Sequence, residues 1–357
     1  MLLAALGREP RGSDLPYAAS MAPRVLYLHA NSEDYLADSL LHGLRTVLGD
    51  DVVDVPRRDA LYDDITEERR RQLYGRGFTL YGRLPDVTVD RERWLARALE
   101  REFDVVVFAD IWRYWAPWVQ LRPHLHAVRR AGVRLVAIDG GDGPVMYPYG
   151  PTWWRQMRPW PLPRAHGRID FFKREITPLT ARLRYLGLLP QQVAERRLSR
   201  FVRPIAFSIP AEHLAPADEA KSSLLATHVV DPDVASVLGR DGTGYAFDRE
   251  EDYFADLRRS RFGVTTKKAG WDCLRHYELA ASGCVPCFRD LADKPRDCAP
   301  HGLDAGNCVA YRDAAELLRR LENMGEDEYE GLRAGTLAWA RENTTRRRAE
   351  SFLEALG

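Results

Sequence analysis

Residues 252–290 read DYFADLRRSRFGVTTKKAGWDCLRHYELAASGCVPCFRD, and the order of elements in this stretch indicates the class of fold. Its apolar pattern predicts a helix over 252–260, a strand over 262–266, a second helix over 274–282 and a second strand over 284–288. Short strands that alternate with helices are typical of a parallel sheet. The stretch therefore predicts one unit of a Rossmann-like α/β domain.

The first half of the chain shows the same alternation. Its apolar runs predict strands over 24–30, 51–55, 104–110 and 133–139, and amphipathic stretches lie between them. The chain has 357 residues, which exceeds the size at which a single hydrophobic core stops growing. We therefore predict an α/β protein with two Rossmann-like, doubly wound domains that face each other across a cleft.

The composition of successive segments suggests the domain boundaries. Residues 1–20 are rich in small and turn-forming types, so we interpret them as a leader that is either disordered or absent if translation starts at Met21. The first domain, on the acceptor side, is predicted over 21–200 and the nucleotide-sugar-binding domain over 201–344. A basic C-terminal helix over 345–357 is expected to cross back over the first domain.

Charge and hydropathy exclude several classes of protein. The 52 Lys and Arg residues equal the 52 Asp and Glu residues in number, so no general affinity for nucleic acid is expected. No apolar run reaches the roughly 18–20 residues of a membrane span, and the opening residues lack the features of a signal peptide. We predict a cytoplasmic protein without an integral membrane span.

The five cysteines all lie in the last quarter of the chain. Cys284 and Cys287 have a zinc-like spacing, but no second pair with matching spacing follows them. Free cysteines are commonly buried and behave as small apolar residues. We therefore interpret these thiols as structural and predict no metal site and no cofactor.

Polar residues follow the predicted strands of the first half. In open parallel sheets ligands bind beyond the carboxyl ends of the strands, which here carry His29, Asp110, Asp139 and Asp142. Asp139 and Asp142 belong to a glycine-rich loop, and we assign Asp142 as a candidate base and Asp139 to the acceptor side. Each of these residues also has a structural interpretation, as a helix cap, a turn former or a hydrogen-bonded strand end.

In the second half, a glycine-containing loop with two lysines precedes a helix. Free amides and the positive end of a helix dipole attract anions, so this loop predicts a diphosphate site. Glu278 lies about one turn after Arg275, on the same side of the helix, where its carboxylate suits a ribose diol. The residues assigned to donor binding are Lys267, Lys268, Gly270, Arg275, Glu278 and Asp290.

A segment rich in tryptophan and arginine lies between the two halves. Aromatic faces stack on sugars and Arg pairs with anions, so Trp153, Trp154 and Arg155 are candidates for an acceptor surface. The alternative is a loop that packs between the domains.

The 252–290 stretch resembles the donor domain of GT-B glycosyltransferases, of the group 1 type and especially the spore-protein-like and exostosin-like branches. The resemblance depends on Arg275, Glu278, Gly283 and Pro286, and the run Phe171-Phe-Lys-Arg-Glu175 is similar to a segment that precedes the second domain of such enzymes. It implies transfer of a sugar from a nucleoside diphosphate sugar, with Arg275 and Glu278 among the donor-binding residues.

One departure from that family affects the stereochemistry. Retaining members commonly carry a glutamate eight residues before the one that corresponds to Glu278, and this chain has Gly270 there. Inverting members often use a histidine after the first strand, oriented by an aspartate, and the resemblance assigns these roles to His29 and Asp110. It thus implies a metal-independent, inverting enzyme in which a neutral imidazole accepts the proton of the acceptor hydroxyl, with Asp142 as the alternative base.

The predicted function is therefore glycosyl transfer to a glycan or secondary-metabolite acceptor. Two alternatives stay open at this point. One is a catalytically silent protein that binds nucleotides or carbohydrates, which the glycine at position 270 favours. The other is a GT-B-like epimerase or phosphorylase.

Overall fold

The computed structural model describes residues 22–146, 169–240 and 246–357. The leader 1–20 and the candidate acceptor residues Trp153, Trp154 and Arg155 lie outside the described residues.

The strands of the first half are β1 (Val25–Leu28), β2 (Val52–Val55), β3 (Val105–Phe108), β4 (Arg134–Asp139), β5 (Asp170–Lys173) and β6 (Val202–Pro204). They form one parallel sheet in the order β2-β1-β3-β4-β5-β6. Its helices are α1 (Tyr35–Leu48), α2 (Glu67–Arg71), α3 (Trp94–Leu99), α4 (Ala116–Leu121), α5 (Leu125–Arg130), α6 (Pro178–Arg184) and α7 (Gln191–Leu198).

Apolar side chains on both faces of β1 explain why this strand is central. Val25 and Tyr27 pack into one core cluster and Leu26 and Leu28 into another, because alternate residues of a strand point to opposite faces. The chain continues from β1 to β2 on one side and returns to β3 on the other. Such a reversal of strand order opens a crevice at the carboxyl ends of β1 and β3, which is a usual ligand position.

The strands of the second half are β7 (Ser223–Leu225), β8 (Ser260–Thr265), β9 (Val285–Arg289) and β10 (Val309–Tyr311). They form a second parallel sheet in the order β10-β9-β8-β7. Its helices are α8 (Pro232–Val237), α9 (Glu250–Arg259), α10 (Leu274–Ala281), α11 (Ala314–Asn323) and α12 (Glu326–Glu342). The stretch 252–290 thus forms α9, β8, α10 and β9 in the predicted order.

The first sheet extends beyond residue 200, where the sequence predicted the second domain to begin. Strand β6 pairs in parallel with β5, and Phe171 is the register partner of Val202. Strands β5 and β6 were not predicted, because the proline-rich stretch before β5 indicates a loop. The first half therefore ends after β6.

The last helix, α13 (Thr345–Leu356), returns to the first half. Its residues Ala349 and Phe352 belong to the core cluster that α1 builds, and the His42 Nδ1 atom lies 2.9 Å from the Thr345 hydroxyl. A side chain at Gly43 would collide with the Thr345 carbonyl, so the close approach of the two helices requires glycine there. No helix among the described residues is both long and apolar enough to cross a membrane.

Candidate active site

A cavity of about 720 Å³ lies between the two halves, and side chains of both halves line it. The loops after the strands of the first sheet contribute Glu33, Asp34, Trp112, Asp142 and Arg174. The end of β8, the loop after it and α10 contribute Thr265, Lys268, Gly270, Arg275 and Glu278. Five residues predicted from the sequence thus meet at one cavity, namely Asp142, Lys268, Gly270, Arg275 and Glu278.

Arg275 is a buried cation in the wall of this cavity. Its guanidinium donates to the carbonyls of Val264 and His228 and, at 3.0 Å, to the Tyr253 hydroxyl. All three acceptors are neutral, and in the described part of the chain Arg275 forms no ion pair. The Glu278 carboxylate one turn away offsets part of this charge through the Tyr253 hydroxyl that both contact, and the lack of a direct carboxylate contact leaves the guanidinium able to pair with an anionic ligand.

The first turn of α10 opens at the same place. Cys273 occupies the N-cap position but supplies no side-chain hydrogen bond, and it lines the cavity together with Leu274. Uncapped amides at a helix start carry partial positive charge. The helix start and Arg275 thus attract negative charge to one end of the cavity.

Glu278 lies on the same helix and is already hydrogen-bonded. Its Oε1 atom accepts from the Thr79 hydroxyl and its Oε2 atom from the Tyr253 hydroxyl at 2.7 Å. Burial raises its pKa, and the two hydrogen bonds oppose that rise. Each carboxylate oxygen has room for a second donor, so Glu278 can still accept hydroxyls of a ligand.

A segment of the first half reaches the second half beside Glu278. The Glu250 carboxylate at the start of α9 accepts from the Thr79 amide at 2.7 Å and pairs with Arg70 and Arg83. The Thr79 carbonyl lies 2.9 Å from the His213 Nε2 atom. Thr79 has a φ of 76°, a strained value for a β-branched residue, which these contacts stabilise.

The pair Arg174 and Glu175 links the halves on the other side of the cavity. Glu175 accepts from the backbone amides of Trp271 and Asp272, and Arg174 donates to the Asp272 carbonyl at 3.0 Å and pairs with Asp142. The sequence did not predict a role for Arg174 or Glu175 beyond their place in a segment similar to one in GT-B enzymes. Its signal is two adjacent charged residues that directly follow a buried strand.

These contacts correct the predicted diphosphate site. Two amides of the loop, which the sequence offered to phosphates, already bind Glu175, so Arg275, Lys268 and the α10 start remain for an anion. An ideal Cβ at Gly270 would lie 2.5 Å from the Glu175 Oε1 atom and 3.0 Å from the Asp142 Oδ1 atom. Carboxylates of the first half therefore occupy the space that a side chain at position 270 would fill.

Two predicted donor residues do not line the cavity. Lys267 is exposed and its Nζ atom lies 5.0 Å from the centre of the Trp271 ring. Asp290 lies after β9, where its carboxylate is 3.7 Å from the Arg289 Nε atom. The loop after β8 turns only one of its two lysines, Lys268, toward the cavity.

The predicted dyad of His29 and Asp110 is not formed. The His29 Nδ1 atom bonds to the Ala30 carbonyl at 2.7 Å, and the residue is only 2% exposed and does not line the cavity. Asp110 is 1% exposed, and among the described residues neither of its oxygens accepts a hydrogen bond, although the Arg113 Nε atom lies 3.3 Å from Oδ1 as an ion pair. Burial lowers the pKa of His29 and raises that of Asp110 to about 8. Neither residue lines the cavity, whose lining begins at Glu33 after β1 and at Trp112 after β3.

Asp139 has a structural position rather than the predicted one beside the acceptor. It is buried, its Oδ2 atom lies 3.3 Å from Lys173 Nζ, and its Oδ1 atom accepts from the Gly141 amide at 3.0 Å. Asp142, three residues later, is exposed and lines the cavity. Within the described ranges, no group of three or more His, Cys, Asp or Glu residues is placed to hold a metal ion, and all five cysteines are free thiols.

Three solved structures with a similar fold are distant from this chain in sequence. HepE from Anabaena in complex with UDP has a TM-score of 0.51 and 11% identity over 93% of this chain and 99% of its own. An alpha-glucosyltransferase in complex with UDP and a 13-mer DNA containing a central A:G mismatch has a TM-score of 0.52 and 10% identity over 94% and 99%. A glycosyltransferase from Rickettsia africae ESF-5 has a TM-score of 0.50 and 9% identity over 93% and 97%.

These similarities confirm the predicted fold class, two Rossmann-like domains that face each other across a cleft as in GT-B proteins. No protein-family model matches the chain, and no curated protein sequence matches it. The resemblance to the spore-protein-like and exostosin-like branches therefore stays a prediction.

Proposed function

We propose that this protein transfers a sugar from a nucleoside diphosphate sugar to an acceptor hydroxyl within the cavity between its halves. The observation that carries the proposal is Arg275, a buried guanidinium without a carboxylate partner among the described residues, at the start of a helix that opens on the cavity. A diphosphate is an anion with which this guanidinium can form direct charge-assisted hydrogen bonds. It is also a leaving group whose developing charge these donors stabilise.

We infer the orientation of the donor from the order of side chains along the loop after β8 and α10. Arg275, Lys268 and the α10 start bind the phosphates, and Glu278, one turn further, accepts a ribose hydroxyl beside Thr79 and Tyr253. Uracil or thymine is the proposed base, and two of the similar structures contain UDP. A glycan or a secondary metabolite enters from the first half.

Asp142 is the proposed general base, since it is the one predicted catalytic residue that lines the cavity. Its carboxylate takes the acceptor hydroxyl proton while the oxygen bonds to the anomeric carbon and the bond to the diphosphate breaks with its electron pair. One such displacement inverts the anomeric centre. The cations already present neutralise the leaving group, so we propose that no metal ion takes part.

The test is titration of the protein with UDP, followed by incubation with UDP-sugars and acceptor panels in the presence of a chelator. We expect UDP to bind and the product to have the inverted anomer by NMR. Absence of any nucleotide binding would refute the donor site. A retained anomer would refute the single displacement.

A nucleotide-binding protein without transfer is the second candidate. One observation favours it: the Asp142 carboxylate is paired with Arg174, so it would have to leave this partner to accept a proton from an acceptor. Slow hydrolysis of a UDP-sugar would favour the enzyme, whereas tight UDP binding with no hydrolysis and no transfer to any acceptor would favour the silent binder.

A further inference from the structure

An apolar and basic surface lies on α6, α7 and the loop between them. Residues 179–193 contribute four of the large apolar side chains that the structure leaves exposed, Leu179, Leu186, Leu188 and Val193. Leu186 and Leu188, at the tip of the loop, are 72% and 80% exposed. We refer to this region, residues 178–200, as the leucine–arginine surface.

The tip is held in place by hydrogen bonds rather than left loose. The Gly187 amide donates to the Arg182 carbonyl at 2.9 Å and the Leu188 amide to the Tyr185 carbonyl at 2.9 Å. Leu186 has a φ of 53°, a left-handed value that is unfavourable for leucine. The fold thus keeps an apolar side chain in solvent despite local strain, and a binding partner would compensate for both costs.

Positive charge surrounds the tip. Arg182, Arg196, Arg197 and Arg200 are exposed and form no ion pair within the described ranges, and Glu195 is the single acidic residue of 177–203. On α7 the spacing of positions 193, 196 and 197 places these side chains on one face, beside the buried face of Ala194 and Leu198, and Arg200 follows two residues after the helix ends. Exposed leucines next to unpaired arginines match an anionic apolar interface.

We infer that the leucine–arginine surface binds the surface of a membrane that contains anionic lipids. A bilayer interface accepts protruding leucines without a matching groove, and arginines bind its phosphate groups. A protein partner would need a pocket shaped for the tip. Helix α6 begins at Pro178, three residues after Glu175, so the start of this helix follows the end of the sheet at which the cavity opens, and the tip lies at the other end of the helix.

The experiment measures sedimentation of the full chain with vesicles of phosphatidylcholine alone or mixed with phosphatidylglycerol. We expect binding to the mixed vesicles, a loss in 0.5 M salt of about tenfold or more, and little binding to phosphatidylcholine alone. Leu186→Ser with Leu188→Ser should lower the partition coefficient at least about tenfold, because two apolar anchors are lost. Arg196→Gln with Arg197→Gln should lower it several-fold.

The matched control is Leu224→Ser with Val237→Ser, which alters exposed apolar residues of the second half, 44% and 60% exposed, and should leave vesicle binding unchanged. Unchanged UDP affinity and melting temperature show that the variants are folded. Failure of the native chain to bind mixed vesicles would overturn the inference, as would equal binding of the leucine variant. Equally tight binding of native and leucine-variant chains to polyglutamate-coated beads, without vesicle binding, would assign the surface to an acidic protein instead.

Discussion

The carboxylate of Glu175, at the end of the first sheet, accepts a hydrogen bond of 2.8 Å from the backbone amide of Trp271 in the second half. The amide of Asp272 bonds to the same oxygen at 3.1 Å. The loop that carries Lys268 therefore has its shape fixed by a residue of the opposite half. Nucleotide affinity should depend on Glu175 even though Glu175 does not line the cavity.

Replacement of Glu175 tests this dependence. Glu175→Ala leaves one buried and one part-buried amide without an acceptor, so we expect UDP affinity to fall about tenfold and the unfolding free energy to fall by about 1–3 kcal/mol. Glu175→Gln keeps one carbonyl acceptor, so its UDP affinity and its unfolding free energy should each fall less than those of Glu175→Ala. Calorimetric titration with UDP gives the affinities. Unchanged affinity in a destabilised Glu175→Ala protein would show that the contact only joins the halves.

Arg275→Ala should weaken UDP binding by about 10- to 150-fold, the usual cost of losing charge-assisted hydrogen bonds. The control is Arg261→Ala, since Arg261 lies over the Tyr329 ring and pairs with Glu326 away from the cavity. Calorimetry at two salt concentrations measures both variants. Equal UDP affinities for native protein and Arg275→Ala would contradict the donor site.

Asp142→Asn should lower kcat by about two to four orders of magnitude while UDP affinity changes little, because the amide cannot accept the acceptor proton. His29→Asn serves as the comparison. Because His29 is buried and does not line the cavity, the turnover of this variant per folded molecule should stay within a few-fold of that of the native protein. Steady-state kinetics with a competent UDP-sugar measures both. The opposite ranking of the two variants would restore the imidazole as base.

Strand–helix alternation predicted most of the fold, since β1 to β4 fall within the four predicted strands and 252–290 follows the predicted order. Strand β5, of four residues, was missed beside a proline-rich stretch. All three of Asp142, His29 and Asp110 were predicted to reach the cavity because they follow strands, and only Asp142 lines it. Whether a side chain at a strand end points into the cleft depends on where the chain turns, and spacing along the sequence does not encode that. Glu175 was missed as a site residue because its partners are backbone amides nearly a hundred positions away.

The stability of the protein should depend on the ionisation of Asp110. Burial and the neighbouring Asp34 raise its folded pKa to about 8, while Arg113 opposes the shift; an unfolded carboxyl titrates near 3.9. The folded state thus binds more protons between these values, so stability falls as pH rises from about 4 through about 8. Asp110→Asn does not titrate, and its unfolding free energy relative to native should increase from pH 5 to pH 9 by on the order of a few kcal/mol.

Urea unfolding at pH 5, 7 and 9 measures this difference. Asp139→Asn is the control, because it removes the ion-pair partner of buried Lys173 and should destabilise at every pH. A native stability that does not change relative to Asp110→Asn would show that Asp110 ionises normally.

Gly270→Ala should destabilise the protein by about 1–3 kcal/mol and weaken UDP binding, because its methyl group would collide with Glu175. Gly143→Ala is the matched control, since an ideal Cβ there meets no atom of the described residues within 4 Å. Thermal melting with and without UDP compares them. Equal behaviour of the two alanine variants would show that the loop after β8 can move away from Glu175.

The chain passes between its halves twice, after β6 and again before α13, and the two passages are hydrogen-bonded to each other. The Ile209 amide donates to the Asn343 carbonyl at 3.2 Å, and the Thr345 amide donates to the Ile209 carbonyl at 2.8 Å. The two covalent connections between the halves are thus hydrogen-bonded side by side and lie along one line. Sliding or twisting of one half against the other would break these bonds, so we expect any opening of the cleft to be a rotation about this line that releases the contacts of Glu175 with Trp271 and of Glu250 with Thr79. We therefore expect a donor bound to one half and an acceptor bound to the other to approach each other mainly by this rotation.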